Sequence, residues 1–289
     1  MSTDQAAAGV IHDLGYRRYR GQRLGRPAIA RALCWHSLRA AFGLGRGARA
    51  KIVPFAMVAL LSLPALLSAV LVARSAGHVR EISYTGYVFR LRALVMLIFV
   101  AVQAPELVSR DLRHHVLPLY LSRPLHRLDY PLAKLAAFSA ACLIVTGVPL
   151  VLLYLGTVAS ASGGGQVLAE TGALAAGLLA AAAWAVLLAA IGLALAALAS
   201  RRAYATGLVA ICLFVSWTLA SILAPFGGAG VLLSPFTVLA GLTQWLGGGA
   251  QGQPPQAGWL GPACAVMFLM LLAASLGGLA ARYRKAGDA

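Results

Sequence analysis

The sequence predicts an all-α polytopic membrane protein, and three observations point there. Hydrophobic residues make up 60% of the chain and charged residues 11%, against about 45–50% and roughly 25% in a soluble domain. Mean hydropathy is +0.81. The apolar residues also fall in runs long enough to cross a bilayer core of about 30 Å, which takes roughly 20 residues of helix. The 8 acidic and 24 basic residues of the 289 cannot coat a water-soluble globule. Soluble enzymes, disordered tails and secreted disulfide scaffolds are thereby excluded.

The first 51 residues are polar and basic. Within them, 27–42 reads as a helix with Trp35, Leu38 and Phe42 at i, i+3 and i+7. Arg31 and Arg39 interrupt that face. Such a pattern suits a helix lying in the membrane interface with its arginines reaching toward lipid phosphates; a solvated juxtamembrane segment is the alternative. Gly43-Leu44-Gly45-Arg46-Gly47 lacks phosphate-loop spacing and follows no strand, so it reads as a hinge. The first apolar run is too long for a signal h-region, and no cleavable signal peptide is expected.

Five stretches qualify as spans: 52–73, 132–158, 173–199, 204–223 and 259–281. A sixth, 91–107, is weaker, since it contains Arg92 and Gln103 and ends in Pro105-Glu106. Charge decides in its favour. With six spans and the N-terminus inside, 20 of the 24 basic residues lie in cytoplasmic segments. Removing the second span puts 14 of them outside, against the positive-inside rule. Residues 52–289 are therefore expected to form a six-helix transmembrane domain in the cell membrane, with both termini cytoplasmic. Residues 225–246 are apolar but broken by Gly227, Gly228, Gly230 and Pro235, the pattern of a re-entrant helical pair on the outer side. A Gly/Gln/Pro loop, 247–256, leads into the last span.

The basic residues sit between apolar runs rather than along one face, which does not suit nucleic acid. Cys34, Cys142, Cys212 and Cys264 are scattered and read as small packing residues. Residues 135–169 and 203–281 contain no Asp, Glu, Lys, Arg or His. Ion-coupled carriers usually place ionisable groups within their spans, and Glu106 is the one candidate. His114, His115 and His126 lack a framing carboxylate motif, and Ser139, Ser216 and Ser221 lack His–Asp partners. No catalytic, metal or cofactor site is expected on this chain. What remains is a channel, a structural protein, or the membrane half of a pump whose motor is another chain.

Residues 105–134, PELVSRDLRHHVLPLYLSRPLHRLDYPLAK, bear on that choice. Val108, Leu112, Val116 and Leu119 form one stripe of a short helix. Glu106 can reach Arg110 at i+4, and Pro118 ends or kinks the helix. Ser122-Arg123-Pro124 turns the chain. Asp129 is placed to N-cap the third span, with Pro131 in its first turn. A short helix across the cytoplasmic mouth, at 108–121 within a loop of 108–131, suits a push from a partner; a loop that only anchors two spans is the plainer alternative.

From Glu106 through Arg110-Asp111 to Ser122-Arg123-Pro124, Arg127, Tyr130 and Lys134, this region resembles the coupling-helix region of ABC-2 type transporter permeases, actinobacterial members included. That motif runs from an acidic residue through leucines and Ser-Arg-Pro to Arg, Tyr and Lys; Tyr120 replaces one leucine here. Arg113-His114-His115-Val116 departs from it, since relatives often carry Gly-Thr there. The family has six spans, an interfacial connecting helix and a re-entrant pair before the sixth. Leu233-Ser234-Pro235-Phe236 with Trp245 resembles that outer element.

The resemblance implies an ABC exporter in which two permease copies, or this chain and a paralogue, form the channel. Two copies of a separate ATPase dock beneath and bind the ATP and Mg. Residues 108–121 would take the push, with Glu106 and Arg123 at the elbows, and 27–42 would help transmit it. The dimer seam would involve spans one and five near Ser216, Ala220 and Ser221. An apolar translocation wall points to hydrophobic or amphiphilic substrates. Two other classes stay open on the residues alone: a secondary carrier or channel, and an integral membrane enzyme or assembly factor.

Overall fold

The computed structural model describes residues 25–74, 92–113, 128–161, 163–199, 201–223, 228–246 and 258–287, and among them no strand occurs. The helices are α1 (Arg26–Ala41), α2 (Ala48–Arg74), α3 (Arg92–Arg113), α4 (Asp129–Ala159), α5 (Gly164–Ala196), α6 (Arg202–Leu223), α7 (Pro235–Leu246) and α8 (Leu260–Gly287). A 3-10 segment, Gly228–Leu233, precedes α7.

Helix α1 starts where extended Gly25 gives way to Pro27 in the first turn, a position where a missing N–H costs nothing. It ends at Gly43, whose φ of 66° is left-handed. The Gly43 amide donates to the Ala40 carbonyl at 3.0 Å and the Leu44 amide to that of Arg39 at 2.8 Å. Together they form a Schellman motif. The expected hinge is thus a built corner, and a Cβ on Gly43 would lie 2.5 Å from the Ala50 carbonyl oxygen.

The packed face of α1 is Leu33, Ser37 and Ala41, spaced by four, whose small members let the helix lie close on its neighbours. The expected Trp35–Leu38–Phe42 stripe is split. Phe42 is buried against Phe55, ring centroids 6.0 Å apart, and Leu38 is half-buried. Trp35, Arg31 and Arg39 point outward.

Five helices are long and apolar enough to cross a membrane: Ala48–Leu71, Asp129–Ala159, Gly164–Ala196, Arg202–Leu223 and Leu260–Arg284. Leu63 and Leu67 on α2, Ile211 and Phe214 on α6, and Leu269 and Met270 on α8 are exposed. Apolar surface on that scale marks a face turned to lipid or another apolar partner, and the protein is a membrane-embedded helical bundle. The sixth apolar stretch, Ala93–Ser109, is shorter.

Helix α3 is nevertheless the core of the bundle. Val95, Met96, Phe99, Val100, Ala104 and Leu107 are all buried, with Phe99 stacked on Phe138 at 6.0 Å. Leu94 and Ile98 on one stripe are exposed, but the buried face can carry Gln103 and Glu106 where a lipid-facing one cannot, which explains the weak hydropathy.

Two expectations fail here. The helix does not end at 107, and residues 108–113 continue it rather than opening a separate helix. Pro105 removes one backbone hydrogen bond but is buried on every side by neighbours, the setting that tolerates proline inside a membrane helix. Asp129 does not cap α4 either: Leu128 holds the N-cap position and no side chain caps the helix.

The remaining bounds differ by extension. Helices α4 and α5 start earlier than expected, at Asp129 and Gly164. Helices α2 and α4 touch where Gly156 meets Ala69, so closely that a Cβ on Gly156 would collide with the Ala69 methyl. Small residues permit such approaches between membrane helices. Between the far end of α6 and the start of α8, the 3-10 segment and α7 form a broken helical pair. Buried Ser234 accepts the Phe236 amide at 3.3 Å, and Phe236 packs between Trp184 and Trp217.

Candidate functional site

The starts of α2, α4 and α6 and the ends of α3, α5 and α8 meet at one end of the bundle, where α1 also lies. Charged side chains from these termini form two knots and one strut.

The first knot is centred on Glu106, whose side chain is 3% exposed. Arg46, held in the Gly43–Gly45 corner, donates Nη1 to Glu106 Oε1 and Nη2 to the Ala40 carbonyl at 2.7 Å. Arg202, in the first turn of α6, places Nη1 2.7 Å from Glu106 Oε2. A carboxylate this buried is tolerated because Oε1 accepts a hydrogen bond from Arg46 and Oε2 lies at ion-pair distance from Arg202.

The second knot lies five residues on. Tyr130 donates its hydroxyl to Asp111 Oδ2, and Lys134 Nζ reaches the same oxygen at 2.8 Å. Tyr130 and Lys134 are one turn apart on α4 and share a face. The ammonium sits 5.5 Å from the Tyr130 ring centroid, within cation–π range. Tyr283 of α8 packs on that ring with centroids 5.3 Å apart. Five residues turn an α-helix by about 140°, so α3 uses one face of its last turns for α2 and α6, and another for α4 and α8.

The strut joins Arg26, at the start of α1, to Asp129, at the start of α4. It is bidentate, with Nε and Nη2 each 2.6 Å from a carboxylate oxygen. The hydrogen bond that Arg26 donates to Asp129 raises the Arg26 pKa above its ordinary value. The carboxylate expected to cap α4 ties α1 to it instead. At the end of α5, Ser109 donates to the Ala196 carbonyl at 3.4 Å and Arg282 to that of Ala197 at 3.1 Å, satisfying carbonyls that a helix end leaves open.

Of the residues singled out in the sequence, Glu106 centres the first knot, while Asp111, Tyr130 and Lys134 come together in the second. Arg110 lies in α3, its side chain outside the described residues, as are Ser122, Arg123, Pro124 and Arg127, and His114, His115 and His126. Among the α1 residues, Arg31, Trp35 and Arg39 are exposed and stay clear of the knots, while Leu38 and Phe42 pack inward. Sequence reasoning missed Arg46, Arg202 and the Arg26–Asp129 strut. Arg46 carried one signal, a lone charge inside a glycine-rich corner, and Arg202 was visible as half of an arginine pair opening an apolar run. Ala220, expected near a dimer seam, is buried against its own chain.

No protein-family model matches the chain, and no curated protein matches it in sequence. Fold and site define a helical, membrane-embedded protein whose charges are gathered and cross-linked at one end.

Proposed function

We propose that this chain is the membrane-spanning permease subunit of an ABC exporter of the ABC-2 type, driven by ATP hydrolysed on a separate subunit. The observation that carries the reading is the pair of knots on α3. Glu106 binds the α1–α2 corner and α6, and Asp111 binds Tyr130 and Lys134 of α4. The residues that resemble the family's coupling motif thus grip both flanks of the segment between 113 and 128. A force applied there would pass through α3 and α4 to the corner of α1.

The same termini support six spans. The starts of α2 and α4 share one end of the bundle only when α3 crosses between them. With the basic residues at that end, the positive-inside rule makes it cytoplasmic and puts both termini there. The broken pair at Gly228–Leu233 and Pro235–Leu246 is then a re-entrant element on the outer side of the cell membrane. Two permease copies and two ATPase copies complete the transporter, ATP and Mg reside on the ATPase, and this chain catalyses nothing. Its lipid-facing and internal surfaces suit a hydrophobic or amphiphilic substrate.

The test is co-purification of the chain with a separate ATPase encoded beside it, followed by stoichiometry and ATP turnover in nanodiscs. A two-plus-two complex is expected, whose turnover or assembly falls in Glu106→Ala and in the double variant Arg123→Ala with Pro124→Ala. A well-folded chain that binds no ATPase overturns the reading and favours a carrier or a membrane enzyme.

A further inference from the structure

Beside the Glu106 knot lies a pocket of about 310 Å³, lined among others by Arg46, Arg49, Arg202, Gln103 and Glu106. It holds three guanidinium groups against one carboxylate. Arg46 commits Nη1 to Glu106 and Nη2 to Ala40, and Arg202 commits Nη1 to Glu106. All three arginines line the pocket, and Arg49 makes no ion pair among the described residues. Gln103 is 5% exposed, lines the pocket and makes no side-chain hydrogen bond among the described residues. A side-chain amide lining a pocket in this way offers an N–H donor to an anion. Helices α2 and α6 also begin here, and helix starts favour anions.

We propose that this pocket binds the phosphate of an anionic phospholipid, with Gln103, Arg46, Arg49 and Arg202 as donors and Glu106 fixing two of the arginines. The chemistry is that of phosphate recognition: planar, forked arginine donors and one neutral amide around an anion. The lipid is favoured over free phosphate by what adjoins the pocket. Ile52 and Phe55, about one and two turns along α2 from Arg49, are 62% and 51% exposed. A headgroup in the pocket can therefore run its acyl chains onto an apolar surface, which a free phosphate would leave uncovered. The inference does not depend on the permease reading.

The test uses the full-length chain purified in mild detergent, mixed with equal amounts of phosphatidylglycerol and phosphatidylcholine, with retained lipid read by native mass spectrometry. Both lipids present the phosphodiester, but choline adds a cation that the three guanidinium groups repel, so phosphatidylglycerol is expected to be retained about fivefold over phosphatidylcholine, the scale of one exposed charge pair. Gln103→Leu and Arg49→Gln should each remove most of that preference. Arg49 is exposed and makes no ion pair among the described residues, so its variant tests the site even if Gln103→Leu folds poorly. A third arm adds millimolar inorganic phosphate, which should leave the bound lipid in place. Equal retention of both lipids, a preference that survives Arg49→Gln, or displacement of the lipid by inorganic phosphate would each overturn the proposal.

Discussion

Glu106 binds Arg46 through one carboxylate oxygen and Arg202 through the other, although the three residues lie on α3, the α1–α2 corner and α6. The two arginines are not equivalent. Arg46 is 29% exposed and also holds the Ala40 carbonyl, while Arg202 is 58% exposed. Breaking a buried pair costs about 3–5 kcal/mol because one charge is left stranded. Arg46→Gln is therefore expected to cost about 3 kcal/mol, and Arg202→Gln clearly less, since water already shares its charge. Thermal unfolding in detergent gives the order. An equal or reversed ranking would show that the corner does not hold the carboxylate.

How much of this was legible follows from sequence distance. Helix α1 was readable to within a residue at each end because its signals, Pro27 and the glycine corner, are local. The acidic residues Glu106 and Asp111 stood out because few carboxylates exist. Their partners were hidden: Arg46 is 60 residues from Glu106, and Arg26 is 103 from Asp129. No periodicity connects such positions; only the packing of helix ends does. Helix α3 was underrated for a related reason, since hydropathy scores a helix against lipid, and most of α3, including Gln103 and Glu106, is buried against protein.

The second knot predicts a rescue. Lys134→Met leaves Asp111, 23% exposed, with the Tyr130 hydroxyl but without its cation, and should cost about 2–3 kcal/mol, scaled down from a fully buried pair. Adding Asp111→Asn removes the stranded charge and keeps an acceptor for Tyr130. The double variant should recover most of the loss, a coupling that a double-mutant cycle measures directly. Strict additivity would mean that Asp111 and Lys134 do not interact in the folded protein.

Gly43 sets the position of Arg46. Alanine there must adopt a φ of 66° and bring its Cβ within 2.5 Å of the Ala50 carbonyl oxygen. A left-handed conformation alone costs a non-glycine residue about 1–2 kcal/mol, and relieving the contact moves the corner. Gly43→Ala is expected to lower the unfolding temperature and to weaken the Arg46–Glu106 pair. Arg46→Gln should therefore cost less in the Gly43→Ala background than in the native one. An unchanged cost would separate the corner from the knot.

Helix α3 decides the topology, so labelling on its two sides tests the span count. Arg49 opens α2 and Leu128 precedes α4, and both are exposed. If α3 crosses the membrane, cysteines at these two positions react with an impermeant thiol reagent from the same side. If α3 stays within one leaflet, α2 alone separates them and they react from opposite sides. Gly164, exposed at the start of α5, supplies the control, since α4 separates it from Leu128 in either case. The expected result is Arg49→Cys and Leu128→Cys protected in intact cells and labelled after permeabilisation, with Gly164→Cys labelled from outside. Cys34, Cys142, Cys212 and Cys264 are replaced by serine or alanine first, so that only the introduced thiol reports. Labelling of Leu128→Cys in intact cells, with Arg49→Cys protected, would reduce the count to five spans and overturn the proposed topology.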